Sequence, residues 1–236
     1  MLNKIDYEDV IKFKRYNPND INNSSILYYD NKTIYKLPYF FDENIIEVIN
    51  YISECNYDSI IKIKDFIMSE EFAVGYSFEF YDNYKSLAKF SKRDLKLKVK
   101  DCHKIIDIFN ELVYNGLIYT DYHLGNILLN ENTSDIKLCD IDSIISNENN
   151  NFIWNNKSSV ALCLGYLYGF QTIFIKELIE RNELINKDNL INDFYNNIKN
   201  DNLYEFHNIL DKLDLELLLK EKKMLKPKVK KLKKYI

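Results

Sequence analysis

The sequence predicts an α+β chain whose strands come first and whose helices come later. Short runs of β-forming residues, separated by turn formers, fill roughly the first 80 residues. Beyond them, apolar residues recur at helical spacing, most regularly between Ser91 and Gly116. The chain has 236 residues, of which 46% are hydrophobic, so it is long enough to form one large or two smaller lobes around a sizeable core.

The first part is predicted to hold five strands and one helix in the order β-β-β-α-β-β. A tight hairpin is predicted at Asp30-Asn31, because strand-like runs flank these two turn formers on both sides. Pro38 should end the second strand of this hairpin. The predicted elements are a weak strand over residues 9 to 16, hairpin strands over 26 to 29 and 32 to 37, a helix from Asp42 to about Ser53, and strands over 60 to 67 and 72 to 80.

The second part is predicted to be mainly helical. Ser91-Lys92-Arg93-Asp94 can form a capping box ahead of a long amphipathic helix, and Gly116 is suitably placed to end that helix. A later stretch is apolar nearly all round, which is typical of a buried helix. The later helices are predicted near residues 158 to 180, 189 to 199 and 203 to 224, after an Asn-rich link over residues 147 to 151.

Three polar residues between the long helix and the later helices are candidates for chemistry. Asp121 follows the strand-like residues 117 to 119, Asn126 comes five positions later, and Asp140 ends the apolar run that starts at Ile136. Phosphoryl transfer needs such a set, in which one carboxylate takes the proton of the attacking hydroxyl while an amide oxygen and a second carboxylate hold Mg²⁺ against the phosphates. Each residue also has a structural alternative, as an Asx-turn or ordinary turn residue.

The segment from residue 117 to 142 resembles the catalytic loop and metal-binding strand of the protein-kinase-like superfamily, which includes protein kinases and the aminoglycoside and choline kinases. The resemblance implies a bilobal α+β fold, with a small, mostly antiparallel β N-lobe that contains one helix and a larger, mostly helical C-lobe. It places the N-lobe at residues 1 to 80, the C-lobe at 81 to 224 and a basic C-terminal tail at 225 to 236.

The same resemblance assigns roles to the polar residues. Asp121 is implied to be the catalytic base or orienter, and Asn126 and Asp140 are implied to bind Mg²⁺, with ATP between the lobes. Asp142 belongs to the Asp140-Ile141-Asp142 sequence that replaces Asp-Phe-Gly. It either adds a weaker second carboxylate or caps the residues that follow.

Four residues of the first part are expected to bind the nucleotide. Lys36 is the candidate for the phosphates, and Glu47, in the middle of the following helix, is the expected ion-pair partner of Lys36. Strand alternation puts Ile34 on the same face as Lys36, where it can cover the adenine. Glu79 begins the stretch that corresponds to the interlobe hinge. The alternative is that Lys36 is an exposed strand lysine and that the glutamates are solvated.

Several positions depart from the protein-kinase pattern. Tyr119 replaces the histidine of His-Arg-Asp, and no glycine lies between Phe13 and Ile26, where the glycine-rich loop would be. Asn22-Asn23-Ser24-Ser25 can substitute for that loop, because Asn tolerates left-handed geometry and Ser donates hydrogen bonds. His123 stands where protein kinases carry lysine, which is more similar to small-molecule and atypical kinases. Alternatively, it is a neutral loop histidine that packs locally.

The expected function is ATP- and Mg²⁺-dependent transfer of the γ-phosphoryl group to a hydroxyl of a small molecule or a protein. No Ala-Pro-Glu follows Asp140, and about twenty residues before the next apolar helix are too few for a peptide-docking shelf. One alternative is a pseudokinase or nucleotide-binding scaffold that holds a partner through its basic tail. The other is a kinase-like fold that uses ATP for nucleotidyl transfer.

Charge and cysteine usage set the expected surroundings. The net charge is −4, and the stretch from Lys220 to Ile236 has nine lysines and one acid, or +8, so residues 1 to 219 carry −12. The tail is either a solvated helical end or a contact for an acidic partner, with nucleic acid the least expected. The scattered cysteines and histidines show no zinc-site spacing. Neither a signal peptide nor an apolar span of about 20 residues is recognised, so a cytoplasmic protein with no transmembrane segment is expected.

Overall fold

The chain forms two compact units. The computed structural model describes residues 2–16, 24–146, 152–184, 191, 192, 195 and 203–234. Unit 1 comprises Met1–Tyr84 together with Lys137–Ile145, and unit 2 comprises Lys85–Ile136 together with Ser146–Ile236. The segment that carries Asp140 therefore belongs to unit 1, whereas the segment that carries Asp121 belongs to unit 2.

Strands come first and helices later, as the sequence predicts. Three short 3₁₀ turns lie at Leu87–Phe90, Leu124–Asn126 and Ile141–Ser143. The strands are β1 (Asn3–Asp6), β2 (Lys14–Arg15), β3 (Ser25–Asp30), β4 (Thr33–Pro38), β5 (Ile63–Ser69), β6 (Phe72–Glu79), β7 (Tyr84–Ser86), β8 (Leu117–Tyr119), β9 (Ile127–Asn130), β10 (Ile136–Leu138) and β11 (Ile144–Ser146). The α-helices are α1 (Tyr7–Val10), α2 (Glu43–Cys55), α3 (Leu95–Tyr114), α4 (Phe152–Tyr168), α5 (Thr172–Glu180), α6 (Leu203–Asp211) and α7 (Leu215–Leu232).

Unit 1 is built on a six-stranded sheet in the order β1-β5-β6-β4-β3-β2. Its neighbouring strands are antiparallel, except that β1 runs parallel to β5. Val10 of α1 packs with Tyr35 and Leu37 in a hydrophobic core on one face of the sheet. Because side chains alternate along a strand, Ile34 and Lys36 face the other side. The predicted common face of Ile34 and Lys36 is therefore confirmed.

The predicted hairpin is confirmed, with its turn shifted by one residue. Asp30 pairs with Thr33, so the two turn residues are Asn31 and Lys32. Their φ angles are 44° and 62°, the left-handed values that a type I′ turn requires at both positions. Pro38 is the last residue of β4, as predicted, because it cannot donate to a continuing strand ladder.

The prediction of a strand over residues 9 to 16 is wrong for its first half. Tyr7–Val10 form α1, and only Lys14–Arg15 of that stretch pair as a strand. The carboxylate of Asp6 accepts a hydrogen bond of 2.8 Å from the backbone N–H of Glu8, and this local cap starts a helical turn. The turn brings Val10 into the core of unit 1, where it is fully buried.

Aspartates set the starts of α2 and α3. Asp42 caps α2 by accepting a hydrogen bond of 3.0 Å from the N–H of Ile45, at the predicted position. The cap of α3 is Asp94 rather than Ser91, because the Asp94 carboxylate accepts from the first turn of the helix. Gly116, with φ at +67°, follows the end of α3 in the predicted role.

The predicted helix over residues 158 to 180 is in fact two helices. α4 and α5 meet at a bend of 104°. The N–H groups of Gly169 and Phe170 both donate to the carbonyl of Gly165 at 2.9 Å, and Gly169 has φ at +72°, which is a Schellman-type helix end. None of the described helices is by itself long and apolar enough to cross a membrane, and only α4 and α5 taken together across their bend reach that length and composition.

The predicted helix over residues 203 to 224 is also divided, into α6 and α7, because Asp214 caps a new helix. α7 continues to Leu232 and buries Leu225, Val229 and Leu232, so the predicted basic tail starts within a packed helix. The Asn-rich link over 147 to 151, Asn22-Asn23 and most of the predicted helix over 189 to 199 lie outside the described residues.

Candidate active site

Lys36 is the centre of a polar cluster in unit 1, whose other members are Tyr76, Asp140, Asp142 and Ser143. It lies in the middle of β4, directly opposite Tyr76 on β6, and only 4% of its surface is exposed. The side chain of Tyr76 is fully buried beside it. An ammonium group with so little access to water needs partners from the protein.

Two carboxylates provide those partners. Lys36 Nζ donates to Asp140 Oδ1 and, over 2.5 Å, to Asp142 Oδ1. The Tyr76 hydroxyl donates a hydrogen bond of 2.6 Å to the same Asp142 oxygen, and the Ser143 hydroxyl donates one of 3.1 Å to the other oxygen of Asp140. Burial alone would lower the pKa of Lys36, but Asp142 and Asp140 outweigh it, so this pKa lies above its usual value. The ammonium therefore stays charged.

The predicted ion pair between Lys36 and Glu47 is wrong. Glu47 is exposed on α2, whereas Val48 and Ile49 of the same helix are buried. Two residues along a helix correspond to a rotation of about 200°, so Glu47 and Ile49 point to opposite sides. Within the described residues, Asp142 takes the place expected for Glu47, since Lys36 pairs with Asp142 and Asp140.

Asp140 and Asp142 are placed by a tight turn. Asp140 has φ at +63°, and Ile141–Ser143 form a single 3₁₀ turn that buries Ile141. Asp142 has the less exposed side chain, at 13% against 23% for Asp140. Of the two alternatives for Asp142, its contacts favour the second carboxylate over the cap, because it binds Lys36 beside Asp140 and also accepts from Tyr76. The two-residue spacing of the carboxylates was the sequence signal for this pair.

In unit 2, Asp121 is exposed at the end of a buried strand. β8 is buried throughout, and Tyr119 packs edge-on against Phe109, with ring centroids 6.2 Å apart. Asn155 of α4 holds both ends of this strand: its Nδ2 donates to Leu117 O at 2.6 Å and its Oδ1 accepts from Tyr119 N at 3.2 Å. Tyr119 is thus part of the core, and the loop after it starts from a rigid point. Asn155 was missed from the sequence because it belongs to an Asn-rich stretch.

Asn126 and His123 hold one oxygen of Asp121. Asn126 Nδ2 donates to Asp121 Oδ2 and to the Asp121 carbonyl, each at 3.0 Å. His123 Nε2 lies 3.4 Å from the same Oδ2. Within the described residues, Asp121 Oδ1 has no hydrogen-bond partner, and the side chain is 52% exposed. The predicted pair of Asp121 and Asn126 is therefore brought together, and the contacts use one of the two carboxylate oxygens.

The hydrogen bonds fix the tautomer of His123. The backbone N–H of Gly125 donates to His123 Nδ1 at 2.9 Å, so Nδ1 carries no proton and Nε2 carries the ring proton toward Asp121. A Cβ atom at Gly125 would overlap the His123 ring, so glycine is needed for this arrangement. These contacts agree with a loop histidine that hydrogen-bonds locally, and they also bring its ring to Asp121.

The remaining predicted nucleotide contacts lie on the sheet of unit 1. Ile34 is 3% exposed in β4, and Glu79 is exposed at the end of β6, where its N–H donates to Lys62 O at 3.1 Å. Their roles toward a nucleotide stay predictions.

The oxygen donors suit Mg²⁺. Asp140 offers a carboxylate, and Asn126, whose Nδ2 is bound to Asp121, would bind a metal through Oδ1. Mg²⁺ that is bound together with nucleotide phosphates usually takes one or two carboxylates and completes its shell with phosphate oxygens and water. Each of these donors, taken by itself, is therefore of a type that Mg²⁺ accepts.

Comparison with known proteins shows a similarity to solved structures. No protein-family model and no curated protein sequence matches the chain. Among solved structures, the chain is similar to the kinase PK-1 of the Cydia pomonella granulovirus, with a TM-score of 0.53 and 14% sequence identity, over 68% of this chain and 70% of that one. Similarity at this level of identity shows the fold and leaves the subfamily open. The predicted α+β, kinase-like fold is confirmed.

Proposed function

We propose that this chain is an ATP- and Mg²⁺-dependent phosphotransferase that transfers the γ-phosphoryl group to a hydroxyl group. The observation that supports this most strongly is the geometry of Asp121. Its carboxylate follows a buried strand, one oxygen is held by Asn126 and His123, and the other has no hydrogen-bond partner among the described residues on a side chain that is half exposed. A group that must take a proton needs both a fixed orientation and an accessible oxygen. The kinase-like fold supports the same proposal.

In unit 1, the proposal assigns Lys36 to the nucleotide phosphates and Asp140 to Mg²⁺. Bound Mg²⁺ would neutralise phosphate charge and orient the phosphates. Asp142 is a second carboxylate partner of Lys36. It can therefore hold the Lys36 ammonium in place while Asp140 binds the metal. Tyr76 orients Asp142 for this task through its hydroxyl. Ile34 and Glu79 are proposed to contact the adenine.

In unit 2, the proposal assigns the proton transfer to Asp121. The acceptor hydroxyl gives its proton to Asp121 Oδ1 as its oxygen bonds to the γ-phosphorus, and the bond from that phosphorus to the β–γ bridging oxygen breaks to release ADP. Asn126 and His123 donate to Oδ2 and so keep the carboxylate from rotating.

Nucleotide binding can be tested by thermal unfolding. ATP with Mg²⁺ should stabilise the protein, by about 2.7 kcal/mol when the ligand is at a hundredfold excess over its dissociation constant. The effect should shrink without Mg²⁺ and should be absent in Lys36→Met. Equal stabilisation of wild type and Lys36→Met would contradict the role of Lys36.

One observation favours a second function, that of a scaffold without catalysis. The charge of Lys36 is balanced by Asp140 and Asp142 from the protein alone, so unit 1 satisfies its buried ammonium without a nucleotide. A scaffold would transfer no phosphoryl group, and one that binds no nucleotide would also show no Mg²⁺-dependent thermal response to ATP. The thermal measurement together with an assay of phosphoryl transfer therefore separates the two functions.

A further inference from the structure

A pocket of about 710 Å³ lies within unit 2, beside Asp121. Asp121 and His123 form one part of its wall, and the connection from α4 to α5 forms another. Pockets that enclose small molecules typically measure about 300 to 1,000 Å³, whereas a peptide needs an extended groove. The residue that is proposed to take the acceptor proton therefore lines a space of small-molecule size.

The second part of the wall is a sharp corner of the chain. α4 ends at Gly169, α5 begins at Thr172, and the two helices are bent by 104°. A Cβ at Gly165 would lie 3.1 Å from the carbonyl oxygen of Phe170, so the missing side chain lets the corner pack closely on α4. The corner is thus a fixed part of unit 2, built by two glycines, and it holds the start of α5 at the pocket.

The start of α5 has unused polar groups at the pocket. Thr172 and Ile173 line the pocket, and Gln171, the residue that precedes the helix, makes no capping hydrogen bond with its side chain. Backbone N–H groups at such a helix start attract anions. Thr172 is only 7% exposed, and its Oγ1 has no hydrogen-bond partner within the described residues. A buried hydroxyl without a partner is costly, and although Oγ1 is itself shielded from solvent, a ligand oxygen that the side chain turns to meet would relieve that cost.

The charges on the pocket wall also favour an anionic group at the start of α5. Of the described residues that line the pocket, Lys176 is the only amine and Asp121 the only carboxylate. Lys176 lies one turn into α5 and is loosely paired with Glu180 at 4.0 Å, so its charge is available. A polycationic acceptor would find only Asp121 to balance its charge, and that carboxylate is needed for the proton. An acidic acceptor finds Lys176 and the helix start.

We infer that the acceptor is a small hydroxyl compound that carries an acidic group, a carboxylate or a phosphate. The acidic group binds Lys176, the Thr172 hydroxyl and the N-terminus of α5, and the hydroxyl group reaches Asp121. The inference rests on the proposed function, because it names the substrate of that same site.

The test separates acceptors by charge before any reaction occurs. The low-mass ultrafiltrate of a deproteinised cell extract is divided into compounds retained by an anion exchanger, compounds retained by a cation exchanger, and neutral compounds. Each fraction, and the macromolecular remainder, is incubated with the protein, Mg²⁺ and γ-labelled ATP. Label should enter a low-mass product from the anion-exchange fraction. Lys176→Met should lower kcat/KM for that acceptor roughly tenfold, the size of one lost charge-assisted hydrogen bond, and leave KM for ATP unchanged.

Two further variants sharpen the result. Lys96→Met removes an exposed lysine of α3 that does not line the pocket, and it should leave the reaction unchanged. Thr172→Val removes the unpartnered hydroxyl at nearly constant shape, so it should raise KM for the acceptor without lowering the melting temperature. Labelling of a cationic, neutral or macromolecular acceptor would overturn the inference and leave the proposed function standing. Absence of label in every fraction would overturn the proposed function itself.

Discussion

Replacing Asp142 tests whether this residue anchors Lys36. In Asp142→Ala, Lys36 keeps Asp140 but loses one charge-assisted hydrogen bond, which costs roughly 1.5–3 kcal/mol. Tyr76, which is fully buried, loses the acceptor of its hydroxyl, which costs roughly 1–3 kcal/mol more. The free energy of unfolding should therefore fall by about 3–5 kcal/mol, the range found when one member of a buried ion pair is removed. Asp142→Asn keeps an acceptor for Tyr76, so it should cost about half as much.

Urea unfolding measures these differences, with the slope of the transition expected to stay constant. Asp82→Ala is the matched control in the same unit: Asp82 pairs with Lys32 at 3.6 Å on the surface, so its loss should cost at most about 1 kcal/mol. The reasoning fails if Asp142→Ala is no more destabilising than Asp82→Ala. It also fails if the Asn variant is as damaging as the Ala variant, because the Tyr76 hydroxyl would then contribute nothing.

Three further changes have defined outcomes. Asn126→Ala frees Asp121 to rotate and removes a proposed metal ligand. We therefore expect kcat to fall by at least about tenfold and the Mg²⁺ concentration needed for activity to change. An unchanged Mg²⁺ requirement would contradict the metal role. Gly125→Ala should displace the ring of His123 and lower kcat by the same factor as His123→Ala, and the double variant should be no worse than either. Burial, with help from a neighbouring lysine, lowers the pKa of Lys98 to about 8 from an ordinary 10.5. Between these pH values the unfolded state binds more protons than the folded state. The free energy of unfolding should therefore rise from pH 8 to 10.5. The measurement is the free energy of unfolding at each pH, and Lys98→Met should lack the part of its rise that Lys98 contributes. A pH profile identical to that of wild type would contradict the role of Lys98.

Local signals in the sequence predicted the elements that carry the site. The hairpin around Asn31, the helix that starts at Asp42 and the close spacing of Asp121 and Asn126 depend on residues near one another in the chain, and each is found. Glu47 was a wrong choice that the helical pattern itself could have prevented, since it lies on the face opposite the buried Ile49.

Contacts between distant residues could not be read in the same way. Lys36 and Asp142 are 106 positions apart, and no local rule says which carboxylate will reach a buried lysine. The clamp of β8 by Asn155 and the division of one long apolar stretch at Gly169 are of the same kind, because both depend on how α4 packs within unit 2. An apolar pattern predicts burial but does not say where a buried chain must turn.

The claim on which the rest depends is that Asp121 takes the proton of an acceptor hydroxyl. The most direct measurement is the rate of γ-phosphoryl transfer by Asp121→Asn, which keeps the shape and the hydrogen bond to Asn126 but removes the basic oxygen. The rate should fall by about 10²–10⁴ relative to wild type, while stabilisation by ATP and Mg²⁺ stays the same. Transfer at the wild-type rate by Asp121→Asn would contradict the account.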